Sequence, residues 1–254
     1  VNDPQMRKAI RGFLKAGVLE GNTLSHPEEG TPQGGPASPL LANIYLNFLD
    51  RVWQRQGRAL GEMVRYADDL VILCRTREAA ERALELLKAT LARLDLEIHP
   101  EKTRIVDLRD GSEGFDFLGF HHRRVPSRRQ PGRAYLQRWP SKRAQNSIRR
   151  RIRETTAPRA LLSLSLGEMV ARIAPTVRGW GAYFRWGNSA TVFAHIDEYV
   201  IERLVIFLRK KHHWPNRRWR KDARGGGAKA LLGSARLPRL SGTVRYGVPA
   251  TATR

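Results

Sequence analysis

The chain has 254 residues, 41% of them hydrophobic, which suits one large domain or two modest ones with real cores and excludes a disordered basic tail. The single cysteine, Cys74, excludes an intrachain disulfide and a Cys-rich zinc site, and no apolar run approaches the ~20 residues that cross a bilayer. Lys and Arg total 46 against 24 acids, a net charge of +22. That excess repels itself unless a polyanion is a regular partner, and nucleic acid is the first candidate, ahead of ribosomal or anionic-membrane association.

Residues 5–16 have the pattern of a short helix ending near Gly17, and a Gly/Pro-rich loop follows from Pro27 to Pro36. Ser38 and Pro39 form a cap and first-turn pair for an amphipathic helix, in which Leu40, Leu41, Ile44, Tyr45, Phe48, Leu49, Val52 and Trp53 repeat at helical spacing. Two short β-rich runs, Met63–Tyr66 and Leu70–Cys74, flank Ala67-Asp68-Asp69 and predict a hairpin. Thr76 caps a second helix with Ala80, Leu84, Leu87, Leu91 and Leu94 on one side. Further strands are expected at Leu96–His99, Thr103–Leu108 and Phe115–Phe120. This order predicts an α+β fold, an antiparallel sheet with helices on one face.

From Trp139 onward the pattern turns helical. Ser165 with Glu168 reads as a capping box ahead of Val170, Ile173, Val177, Trp180 and Phe184. Ser189 opens another helix, closed by Arg209-Lys210-Lys211, where cations complement the helix dipole. The back half is strongly basic. Residues 123–159 hold thirteen Lys/Arg against Glu154 alone, and 209–224 hold eight against Asp222. The stretch from Arg224 to Arg254, rich in Gly, Ala and Pro, predicts a loose tail.

Two adjacent carboxylates at a tight turn repel one another, and a divalent cation relieves that cost. Successive strand residues point to opposite faces, so one of the pair is expected to aim at a shared metal. Taken alone, Ala67-Asp68-Asp69 is an ordinary Asp-rich turn. It follows, however, the block Gly30-Thr31-Pro32-Gln33-Gly34-Gly35-Pro36-Ala37-Ser38-Pro39-Leu40-Leu41-Ala42-Asn43-Ile44-Tyr45-Leu46. Beyond it come Leu96-Glu97-Ile98-His99-Pro100-Glu101-Lys102-Thr103 and Phe115-Asp116-Phe117-Leu118-Gly119-Phe120. In this order the blocks resemble the palm motifs of reverse transcriptases of the group II intron and retron-like kind. Val177-Arg178-Gly179-Trp180-Gly181-Ala182-Tyr183-Phe184-Arg185 resembles the maturase-specific (thumb, or X) domain of group II intron proteins.

The resemblance implies three regions: a partial palm over 1–122, a basic helical thumb/maturase domain over 123–215, and a basic flexible tail over 216–254. It implies that Asp68 is the metal-binding carboxylate of a two-Mg²⁺ site, with Asp69 its supporting neighbour. Gln33, Gly34, Gly35 and Tyr66 would sit by the incoming nucleotide and template, and Lys102 near the leaving pyrophosphate. Phe117, Leu118 and Gly119 would form the primer grip. Arg143, Arg149, Arg150, Arg151, Arg153, Arg178, Lys210 and Lys211 would line the RNA path. By themselves, the glycines read as a turn and Lys102 as a surface lysine.

Nucleotidyl transfer by two metals needs carboxylates from separate strands. In the family one of them precedes the Gly-Thr-Pro-Gln block and falls outside this chain, and Asp3, Glu28, Glu29 and Asp50 have no strand-borne position to replace it. The family's His/Cys-rich endonuclease is not apparent either, since His212-His213 stands in a basic run with Trp214, Arg217, Arg218, Trp219, Arg220 and Lys221. The expected function is an RNA-directed DNA polymerase with maturase activity, incomplete in this chain. The alternative is a non-polymerising maturase-like RNA-binding protein that assists intron splicing. Expected partners are intron RNA, template–primer and DNA, with no membrane, in a cytoplasmic setting, completed by a homodimer or by a missing amino-terminal portion.

Overall fold

The computed structural model describes residues 3–15, 18–20, 23–25, 38–127, 130–213 and Leu240. The elements in chain order are α1 (Pro4–Lys15), β1 (Val18–Glu20), β2 (Thr23–Ser25), α2 (Ser38–Val52), β3 (Gly61–Tyr66), β4 (Asp69–Cys74), α3 (Arg77–Ala92), β5 (Gly114–Phe117), β6 (Phe120–Pro126), β7 (Ala134–Pro140), α4 (Lys142–Thr156), α5 (Leu166–Phe184) and α6 (Ala190–Lys211). They fall into two compact units, Val1–Ile105 and Val106–Arg254.

In the first unit, β3 and β4 form an antiparallel hairpin in which Met63 faces Ile72 and Tyr66 faces Asp69. Burial alternates along β3, so Met63 and Arg65 point inward while Val64 and Tyr66 point to solvent. Helices α2 and α3 cover the inward face. Leu49, Leu87 and Leu91 are buried there with Met63, Leu70 and Ile72 packed against them. The expected arrangement, helices on one face of an antiparallel sheet, is what the chain builds. The Thr76 hydroxyl accepts from the Ala79 N–H and fixes where α3 starts. The Tyr45 hydroxyl donates to the Leu94 carbonyl at 2.6 Å, and Arg93 lies 4.9 Å over the Phe48 ring, so α2 and α3 are joined at that end. After α2 the chain makes one π turn, Trp53–Gly57, which buries Trp53 and lets its indole N–H donate to the Gly61 carbonyl at 3.1 Å. A side chain at Gly57 would strike the Trp53 ring, so this close approach requires glycine.

The strands expected at Leu96–His99 and Thr103–Leu108 are not formed. A strand needs a backbone ladder, and residues 96–108 pair with no neighbour in any described sheet. Their apolar character is used differently, because Leu96 and Ile98 pack against the Leu49–Leu87–Leu91 core.

In the second unit, β5, β6 and β7 form one antiparallel sheet, in that order. The expected strand at 115–120 is divided by a turn at Leu118-Gly119, since Phe117 pairs with Phe120. Trp139 closes a strand, and helix begins at Lys142 with the Ser141 hydroxyl as its cap. Helices α4, α5 and α6 share a core that includes Ile148, Ile152, Met169, Ile173, Val177 and Phe193. The capping box at Ser165 and Glu168 is present with both reciprocal bonds. Beyond residue 213 the expected tail lies outside the described residues except for Leu240. That residue is buried, and its N–H donates to Asp197 at 2.8 Å.

His122 stacks on Phe115 at 4.9 Å between ring centres. Burial first, then the charges of Arg138 and His121, lower its tendency to protonate, with Asp116 partly opposing them. The unfolded chain, with an imidazole pKa of about 6.5, therefore takes up this proton before the folded one does. The contribution of His122 to stability is complete above that pH and declines below it, levelling off once the folded form also protonates. We predict that His122→Phe flattens part of the fall in Tm between about pH 7 and pH 5, measured by circular dichroism melts. An unchanged pH slope would remove His122 from that account.

Candidate active site and nucleic-acid interface

Asn43 and Asp50 stand seven residues apart on α2, two helical turns along one side. Arg65 reaches them from the inward face of β3. Its Nε donates to Asp50 Oδ1 at 2.9 Å, and its Nη2 pairs with Asp50 Oδ2. Its Nη1 donates to Asn43 Oδ1 at 3.0 Å and to the Ala67 carbonyl at 2.8 Å. The side chains of Arg65 and Asp50 are only 11% and 29% exposed, so the pair is shielded from water. The hydrogen bond and charge of Asp50 hold the Arg65 proton more tightly than usual, against the opposing effect of burial. A planar guanidinium fork can serve all these acceptors at once, which a single ammonium cannot.

This arrangement fixes the turn between β3 and β4. Ala67 has φ 53°, a left-handed conformation costing roughly 1–2 kcal/mol for a residue with a Cβ. The bond from Arg65 to the Ala67 carbonyl holds the residue there. Asp68 then stands at the tip, exposed, and Asp69 opens β4, also exposed. Among the described residues neither carboxylate takes part in a hydrogen bond or ion pair, and Tyr66, facing Asp69 across the ladder, is 65% exposed. Asp50, by contrast, meets Arg65 through both of its carboxylate oxygens. No group of three or more His, Cys, Asp or Glu able to hold a metal stands together among the described residues.

Gln33, Gly34 and Gly35 lie outside the described residues. Lys102 is exposed in a turn where its N–H donates to the His99 carbonyl at 3.2 Å. In the second unit, Phe117 ends β5, and Leu118 and Gly119 form the two-residue hairpin loop with φ +49° and +77°. Two left-handed residues in succession match the turn that follows the natural twist of a hairpin.

The basic candidates divide by what their charges meet. On α4, Ile148, Ile152 and Thr156 are buried, and Arg143, Arg150 and Arg153 project from the opposite side, exposed. Arg151 is exposed on α4 as well, and Arg178 and Lys210 are exposed on α5 and α6. Arg150 makes only a long contact with Glu154, at 3.9 Å. Arg149 is half-buried with its guanidinium 5.4 Å from the Tyr199 ring centre, and Lys211 donates to the Leu164 carbonyl at 2.6 Å. These last two make contacts within the fold, which the run of basic residues does not reveal.

Arg65, Asn43 and the structural use of Asp50 were not visible as site residues in the sequence. One signal was present: the alternation of β3 puts a cation on the core side, which demands a buried partner.

Residues 3–122 match the family model of reverse transcriptase (RNA-dependent DNA polymerase), and residues 145–225 match the group II intron maturase-specific domain. A reverse transcriptase match is thus followed, after residues 123–144, by a maturase-specific match, and the two take in most of the chain. The chain belongs to the group II intron reverse transcriptase/maturase family. It is 53% identical over 51 residues to the group II intron-encoded protein LtrA of Lactococcus lactis subsp. cremoris, covering 20% of this chain and 8% of LtrA. It is 29% identical over 164 residues to protein YkfC of Escherichia coli, covering 52% of this chain and 42% of YkfC. With a Pol polyprotein of a type-1 retrotransposable element from Nasonia vitripennis it shares 36% identity over 88 residues, 32% of this chain and 8% of the relative. The chain thus spans less than half the length of these relatives.

Removing one member of a partly buried ion pair leaves the other charged and unpaired, which costs about 1–3 kcal/mol once solvent screening is counted. We predict that Arg65→Ala lowers the urea unfolding free energy by that order. Adding Asp50→Ala should restore part of the loss, because the stranded carboxylate is gone. A double variant that loses the sum of both single effects would show that the two residues are not coupled.

Proposed function

We propose that the chain serves RNA-directed DNA synthesis of the group II intron type, with Asp68 as the carboxylate offered to a divalent cation and Asp69 as its neighbour. The single observation that carries this reading is the Arg65-held turn, which keeps a carboxylate pair exposed and without other partners. The pair fits one side of a Mg²⁺ site, and among the described residues no third acid stands with it, so this reading needs a further carboxylate from outside them. A bound Mg²⁺ would supply charge stabilisation at the phosphates being transferred. The chain's own part is to hold Asp68 and Asp69 in place and to grip the template and primer. In the same reading Gln33, Gly34, Gly35 and Tyr66 lie by the nucleotide and template, Lys102 by the departing pyrophosphate, and Phe117–Gly119 against the primer. The partners are intron RNA, template–primer and DNA, met in the cytoplasm. The completing acid is taken from outside the described residues, a second copy of the chain included. Among the described residues no helix is long and apolar enough to cross a membrane.

A maturase role that binds and steadies intron RNA has its own support in α4. Its exposed Arg143, Arg150 and Arg153 face away from the core, where phosphate contacts add affinity without reading sequence. The functional division proposed, palm through residue 122, thumb/maturase over 123–215 and tail beyond, therefore cuts across the second compact unit, which already begins at Val106.

One pair of assays separates the two roles. In RNA-templated primer extension by the chain supplied with its completing carboxylate, Asp68→Ala is expected to abolish synthesis while RNA affinity by filter binding stays within about two-fold, since one exposed carboxylate contributes little to phosphate contact. Replacing Arg143, Arg150 and Arg153 with Gln is expected to reduce the slope of log affinity against log salt by roughly 2–3. Extension that survives Asp68→Ala would overturn the metal assignment, and an unchanged salt slope would remove α4 from the RNA path.

A further inference from the structure

The turn read above as the primer grip is held from outside its own hairpin. The Tyr183 hydroxyl, near the end of α5, donates to the Leu118 carbonyl at 2.9 Å, although the tyrosine is 53% exposed. The Ser141 N–H, at the cap of α4, donates to the Gly119 carbonyl at 2.8 Å. Both carbonyls of the two-residue loop, which water would otherwise satisfy at a hairpin tip, are thus taken by the helical part of the unit. Ring contacts complete the enclosure. Phe120 packs on Phe184 at 4.8 Å and on Tyr183 at 5.7 Å, and Phe184 stands 3.3 Å from where a Cβ on Gly119 would be.

Leu118 is the vulnerable member. The two-residue hairpin calls for a positive φ at both positions, and at φ +49° Leu118 meets that demand with a left-handed strain that glycine would avoid. Tyr183 lies 65 residues away in sequence, inside the stretch that resembles the maturase-specific motif. Its ring does not need the hydroxyl to pack, since Phe184 carries the buried contact of that helix end. The hydroxyl has one described acceptor, the carbonyl of the turn.

We propose that Tyr183 is a positioning residue: its hydroxyl sets the Leu118-Gly119 turn and couples the maturase helix to the grip on the primer strand. The coupling rests on the reading of Phe117–Gly119 as the primer grip. Its consequence is that anything which rotates the end of α5, intron RNA bound along the helices included, changes the geometry offered to a primer end.

Tyr183→Phe keeps the ring and removes only the donor. Amide hydrogen exchange, followed peptide by peptide, is expected to speed up roughly five-fold across Leu118–Phe120, the factor a single net hydrogen bond commands. Exchange in α6 stays close to that of the native chain, and the Tm falls by no more than about 2–4 °C, the shift that a loss of about 1 kcal/mol gives. Affinity for an RNA carrying a recessed DNA primer is expected to fall by a similar factor, while an unprimed RNA of equal length binds as before. Unchanged exchange at the turn would overturn the proposal. So would an equal loss for primed and unprimed RNA, which would make Tyr183 a direct RNA contact. The exchange measurement decides the positioning claim, and the native chain's preference for primed over unprimed RNA decides the primer-grip reading, so the two fail separately.

Discussion

The first unit depends on the pairing of Arg65 with Asp50. A guanidinium that is only 11% exposed carries a large desolvation cost unless its donors are satisfied, and here they meet Asp50, Asn43 and the Ala67 carbonyl. Such a pair is weak evidence for net stability, because an apolar replacement of the same volume can be as stable. Its worth lies in what else it fixes. The same fork that binds α2 to β3 holds the peptide before Asp68, so helix packing and the placement of a carboxylate are one event. A hydrophobic residue at position 65 would serve the core and leave the turn without its donor.

The second unit applies a comparable device to a different turn. There the carbonyls of Leu118 and Gly119 are taken by Tyr183 and Ser141 from the helical part. In both units a short β loop with left-handed residues gains support beyond its own ladder, from a side chain tied to a helix in the first and from a helix residue in the second. In the proposed reading each loop is one whose position matters, for a metal ion in the first unit and a primer end in the second. The exposed arginines of α4, if they meet phosphates as proposed, need no such support, since those contacts tolerate variation in side-chain conformation.

Much of this was legible in the sequence. The amphipathic pattern of α2, the Thr76 cap, the Ser165–Glu168 capping box and the Ala67-Asp68 turn are local signals, and each forms within a few residues of itself. The partners of Arg65 were harder, because Asp50 is fifteen residues upstream and a lone acid on a helix has many explanations. The strands expected over 96–108 failed for a related reason. β-propensity describes a residue's fit to a pleated surface and cannot supply the neighbouring strand. Basic residues showed the same limit: Arg150 and Lys211 look alike in a charge count, yet one is exposed and the other closes the carbonyls at Ser163 and Leu164.

The central claim is that Arg65 presents the Asp68–Asp69 pair to a divalent cation. Mn²⁺, a paramagnetic stand-in for Mg²⁺, tests it by electron paramagnetic resonance titration of the native chain and of Arg65→Lys. A lysine keeps the charge near Asp50 but cannot also reach Asn43 and the Ala67 carbonyl. The account predicts that Mn²⁺ binds the native chain and that Arg65→Lys weakens it several-fold with both carboxylates still present. Equal affinity in the two proteins, or no binding by the native chain at millimolar Mn²⁺, would contradict it.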